Sequence, residues 1–162
     1  MRWLTLLPMI CCVNVALAGS GRDANSSSCG DYCNDKPLPP LTCDDYLKRM
    51  SRKHPDVQFV ECKPVMMSAP KVPGFEATYH VEGKDIGRVE AWLGRWAHMK
   101  PIKFMCCGWD TSPGYYEDKG GAGYEIKMFA DAEVNGRFVD QRKDLAKLPY
   151  ATLTVTHYLY AP

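Results

Sequence analysis

Apolar and polar positions along the chain fall into two periods. Phe75 to Val81 alternates, with Phe75, Ala77, Tyr79 and Val81 on one side and Glu76, Thr78 and His80 on the other. A period of two marks a strand with one buried face. Tyr124 to Ala130 repeats it: Tyr124, Ile126, Met128 and Ala130 oppose Glu125, Lys127 and Phe129. Tyr150 to Leu159 sets Ala151, Leu153, Val155, His157 and Leu159 against Thr152, Thr154, Thr156 and Tyr158. Val57 to Cys62 and Ile102 to Cys107 predict two shorter strands. Helical spacing takes over between Asp85 and His98, where Ile86, Val89, Leu93 and Trp96 form one stripe, widened by Trp92 and Ala97. Cys43, Tyr46, Leu47 and Met50 predict an earlier helix, opened by Thr42 as a cap and stopped by Pro55. Asp140 to Leu148 predicts a short helix before Pro149, and Asn135-Gly136 a tight turn.

Short connections favour antiparallel neighbours, and the helices are too few to cover both faces of a sheet. The expected architecture is therefore α+β: an antiparallel sheet of about five strands with helices packed on one face, stabilised by disulfides. Its expected hub is Cys106-Cys107-Gly108-Trp109-Asp110. The cysteines would end a strand, and Gly-Trp-Asp would turn the chain away. Neighbouring strand residues point to opposite faces, so Cys106 and Cys107 are not expected to bond to each other.

Composition changes this picture at the N-terminus. Residues 1–18 read as a secretory signal, with Arg2 as the basic region, an apolar run from Trp3 to Val15, and Ala16-Leu17-Ala18 as the cleavage site. The run is shorter than the ~20 residues of a membrane-spanning helix. A lipoprotein reading through Cys11 or Cys12 fits less well. Residues 19–40 are rich in Gly, Ser, Asn, Asp and Pro and predict an irregular lead-in; 41–162 would form a single domain. Removing Arg2 from the 20 Lys+Arg leaves 19, against 19 Asp+Glu. A neutral chain argues against nucleic acid or anionic lipid as partner.

Six cysteines follow the signal: Cys29, Cys33, Cys43, Cys62, Cys106 and Cys107. An even number in an exported chain predicts disulfides, with 15 possible pairings. The expected set joins Cys106 and Cys107 to Cys43 and Cys62, in an open order, and Cys29 to Cys33. No metal-ligand spacing is present, and no cofactor is expected.

The helix bearing Cys43, the strand ending at Cys62, Ala77-Thr78-Tyr79-His80-Val81, the helix around Val89-Glu90 and the Cys-Cys-Gly-Trp stretch at 106–109 together resemble a family of small exported bacterial proteins of unknown function. The resemblance covers roughly residues 42 to 160 and implies export. It implies no catalytic or binding residues.

Little catalytic chemistry is legible. A thiol oxidoreductase would carry CxxC at a helix start, and a serine hydrolase would often show GxSxG; neither motif is present. Gly120-Gly121-Ala122-Gly123 does not lead from a strand into a helix, as a phosphate loop would. Cys-His catalysis would need a free thiol beside His80 or His157. Trp109, Tyr115 and Tyr116, on a polar stretch, suit recognition of another protein. The expected function is a non-enzymatic exported binding or inhibitory protein, periplasmic or secreted, such as an immunity protein against a toxin enzyme. The alternatives are a small envelope enzyme using His80 or His157, and a structural accessory protein of the envelope.

Overall fold

A computed structural model describes residues 42–66 and 72–158. The lead-in, with Cys29 and Cys33, lies outside these residues, as does Leu159.

Among the described residues nine strands and two α-helices follow one another: α1 (Tyr46–Arg49), β1 (Gln58–Met66), β2 (Pro73–Glu82), α2 (Ile86–Trp96), β3 (Lys103–Met105), β4 (Gly108–Asp110), β5 (Gly114–Glu117), β6 (Gly123–Asp131), β7 (Glu133–Val134), β8 (Arg137–Phe138) and β9 (Tyr150–Tyr158). Two 3-10 helices, Gly83–Asp85 and Arg142–Lys147, complete the set. Seven strands form one sheet in the order β1-β2-β9-β6-β4-β3, with β5 also paired to β6; every pairing is antiparallel. The expected sheet was smaller. β4 and β5 are the additions, each short and set among Gly and Pro.

The period-two strands build the core. Ala77, Tyr79 and Val81 of β2, Tyr124, Ile126, Met128 and Ala130 of β6, and Ala151, Leu153 and Val155 of β9 are all buried in one cluster with Ile86, Val89 and Leu93 of α2. Trp92 and Trp96 pack half-buried against it, so the stripe read from sequence is the packed one. β9 lies at the centre of the sheet, and Thr154 and Thr156 are buried as well.

α1 is shorter than its apolar spacing predicts. Asp45, not Thr42, is the cap: its carboxylate accepts the Lys48 N–H at 3.1 Å. The other end is closed by Ser51 in the left-handed region (φ 55°), with the Arg52 N–H donating to the Leu47 carbonyl at 2.8 Å. That pattern satisfies the last carbonyls and stops the helix, so Pro55 is not needed as the breaker. The Tyr79 hydroxyl donates to Asp45 at 3.0 Å and accepts the Leu47 N–H at 3.0 Å, anchoring α1 to β2. Burial is the main reason its phenol is held well above its ordinary pKa.

A buried carboxylate organises the opposite edge. Glu90 accepts the Ile102 N–H at 2.6 Å and the Arg142 guanidinium, which also donates to the Ile102 carbonyl at 2.9 Å. Three stretches distant in sequence meet there: α2, the entry to β3, and the Arg142–Lys147 helix.

Cys43 and Cys62 form a disulfide with Cα atoms 5.5 Å apart and a sequence separation of 19. It ties the stretch before α1 to β1. A loop of this size contributes about 3 kcal/mol in the chain-entropy account. Cys43→Ser is accordingly expected to lower the thermal midpoint by roughly 10 °C at 2–4 °C per kcal/mol. Scanning calorimetry of the two proteins checks this.

Candidate functional site

The hub expected at Cys106-Cys107 is a tip. β3 and β4 pair as a hairpin, Met105 opposite Gly108, and the two cysteines are its two-residue turn. Cys106 takes φ 59°, and the Cys107 N–H donates back to the Met105 carbonyl at 2.7 Å. This is the positive-φ form of a γ-turn, which is rare and strained. Gly108-Trp109-Asp110 is therefore a strand and not a turn away from one.

The expected disulfides from this tip to Cys43 and Cys62 are absent, because those two cysteines bond to each other. Cys106 and Cys107 are exposed thiols. The error lay in reading both as strand residues facing opposite ways; in a turn that geometry does not hold. The neighbouring Cys106 thiol, then partial desolvation and Asp131, push the Cys107 pKa up.

Beside the tip lies a groove of about 650 Å³, lined by Met105, Cys107, Trp109, Phe129, Asp131 and Phe138, among others. Met105 is 62% exposed, Phe138 55% and Phe129 41%. These are large apolar side chains of which water covers about half. β6 supplies Phe129 from its polar side, where Glu125 and Lys127 precede it. The β7–β8 hairpin, turning through Asn135 (φ 52°) and Gly136 (φ 73°) as its sequence predicts, supplies Phe138. On the same rim Lys127 pairs with Asp110 at 3.2 Å, while Asp131 and Glu133 have no ion-pair partner among the described residues.

The three aromatic residues expected to form a recognition surface do not come together. Trp109 is 3% exposed, edge-on to Phe104, and its indole N–H donates to the Val139 carbonyl at 2.7 Å. It belongs to the core. Tyr116 is half-buried, edge-on to Trp96, and the Arg52 guanidinium lies 5.4 Å from the Trp96 ring and 5.5 Å from its own. Tyr115 alone is well exposed, at 45%. Sequence reading missed Met105, Phe129 and Phe138. The available signal was Phe129, an apolar residue on the polar side of an alternating strand.

Neither candidate histidine is placed to activate the free thiols. His157 is buried, stacked on Tyr124 with ring centres 4.7 Å apart, its Nδ1 2.9 Å from the Gly123 carbonyl oxygen. It pairs with Tyr124 on β6, whereas Gly108 pairs with Asp131. Those registers are 131 − 124 = 7 residues apart, roughly 23 Å at ~3.3 Å per residue. His80 stacks on Tyr150 and sits on β2, three strands from β4, roughly 14 Å at ~4.8 Å per strand. Among the described residues no group of three His, Cys, Asp or Glu side chains is arranged to hold a metal ion, and no helix is long and apolar enough to cross a membrane.

Comparison with known proteins adds one match. Residues 32–109 match the model of a family described as a domain of unknown function, DUF4952. The matched span ends at Trp109, so it takes in the disulfide, the Glu90 helix and the β3–β4 tip, and stops before β5. The family is uncharacterised and assigns no role to any of these residues. No curated protein and no solved structure matches the chain.

Proposed function

We propose that this is an exported, non-enzymatic binding protein that engages another protein through the groove between the β3–β4 tip and the β7–β8 hairpin. The observation that carries the reading is the set of Met105, Phe129 and Phe138, three large apolar side chains open to water around one concavity. A half-apolar centre with a charged rim is the pattern of a recognition surface. Aromatic and long apolar anchors seated in such a patch dominate binding energy. Asp131 and Glu133 on the rim favour a partner that presents basic residues around an apolar plug. The Cys43–Cys62 bridge suits an oxidising compartment, and the signal-like N-terminus read from sequence supports export. Neutralisation of a toxin enzyme in the bacterial envelope is the specific form of this proposal.

Met105→Glu and Phe138→Glu test it. Both positions are exposed, so folded stability is expected to change by no more than about 0.5 kcal/mol. Affinity for the captured partner is expected to fall roughly 30-fold or more, the loss of one anchor worth about 2 kcal/mol. Val60→Glu, an exposed substitution on the far edge strand β1, serves as control. Titration calorimetry with the purified partner reads the three variants. Equal affinity in all of them would remove the groove from the account.

A further inference from the structure

We infer that Cys106 and Cys107 form a thiol–disulfide exchange site, a vicinal dithiol that takes a disulfide as its substrate and closes to a bond between the two adjacent cysteines. Three observations carry it. Both thiols are exposed, and they are neighbours in a turn, so the opposed directions of strand side chains no longer separate them. The same chain holds an oxidised pair at Cys43–Cys62. Exposed neighbouring thiols do not persist in a disulfide-forming environment without exchanging. Cys106 also occupies a left-handed backbone position, φ 59°, that glycine or asparagine would take at no or lower cost. Strain of this kind gathers at functional sites, and here it falls on a nucleophile.

The chemistry balances as two exchanges. The Cys106 thiolate attacks one sulfur of an incoming disulfide R–S–S–R, forming a mixed disulfide and releasing one thiolate RS⁻. Cys107 then loses its proton and attacks the Cys106 sulfur, closing the ring and releasing the second RS⁻. Two electrons pass from the cysteine pair to the incoming disulfide, and two thiols leave. The exchange balances equally with the roles of Cys106 and Cys107 reversed. Adjacent residues across a trans peptide have Cα atoms about 3.8 Å apart, less than the ~4.4 Å lower end for unstrained disulfides. The closed ring is therefore strained and reopens readily when a dithiol attacks it. This inference does not depend on the groove binding a partner.

The full-length protein, equilibrated in buffers of stepped oxidised-to-reduced glutathione ratio, quenched with acid and alkylated with a maleimide, tests it by peptide mass mapping. The peptide carrying Cys106 and Cys107 is expected to lose both maleimide additions together and to become lighter by two hydrogens. The Cys43–Cys62 peptides should stay bridged across the range. In Cys106→Ser and Cys107→Ser the ring cannot close, and a mixed disulfide with glutathione is expected to accumulate on the remaining thiol. Two thiols alkylated at every ratio would overturn the inference. So would oxidation that yields only cross-linked dimers or sulfinic acid.

Discussion

Trp109→Ala is expected to destabilise the protein by about 3–5 kcal/mol, the range for emptying a buried tryptophan site. At 2–4 °C per kcal/mol the thermal midpoint should drop by roughly 10 °C or more. The indole is buried between β4 and the chain near Val139, edge-on to Phe104. Alanine would open a cavity and leave the Val139 carbonyl without its N–H donor. Trp109→Phe keeps most of the volume and loses the hydrogen bond, so it should cost less than half as much. Tyr115→Ala, on the next strand but exposed, should cost no more than about 0.5 kcal/mol. Urea unfolding of the three variants gives the comparison. A Trp109→Ala protein as stable as the parent would mean that the indole is not packed.

Glu90→Ala is expected to cost about 3 kcal/mol. Removing one partner of a buried pair costs 3–5 kcal/mol, and the lower end applies because the Arg142 side chain is half-exposed and keeps some solvation. The substitution orphans the Ile102 N–H and leaves the guanidinium only the Ile102 carbonyl, and an unpaired buried donor is itself penalised. Arg142→Ala should cost less, since Glu90 retains the Ile102 N–H. The two substitutions together should cost less than their sum, because they remove one shared interaction. Equilibrium unfolding of both single variants and the double variant closes the cycle. Strict additivity would show that the clamp does not act as a unit.

The legible part of the fold was the part with one buried face and an unbroken period. β2, β6 and β9 alternate over seven or more residues, and their inward sets became the core. The α2 stripe was equally clear. The same stripe also marked Glu90, which falls four residues after Ile86 and three before Leu93, yet a carboxylate on an apolar stripe was not read as a structural clamp. The β3–β4 hairpin was not legible, because its turn is two cysteines where Asn-Gly or Gly-Gly would announce it. The β7–β8 turn, with Asn135-Gly136, was read for that reason. Treating Cys106 and Cys107 as strand residues then sent their expected bonds to Cys43 and Cys62. Sequence alone cannot choose among pairings, and the choice made from the strand premise failed with the premise. Trp109 was half legible: an aromatic residue in a short stretch fits a loop surface or a strand core, and only the pairing with Phe104 decides. Beyond the one signal at Phe129 the groove was not legible, since Met105, Phe129 and Phe138 are spread over 138 − 105 = 33 residues and meet only through the sheet order.

Site-specific photocrosslinking in cells tests the proposed role of that groove most directly. A crosslinker placed at Phe138, and another at Val60 on the far edge strand, should give different outcomes. The account predicts one defined protein adduct from position 138, lost when Met105→Glu is added, and none from position 60. The same adduct from position 60, or adduct formation at 138 that Met105→Glu leaves unchanged, would contradict it.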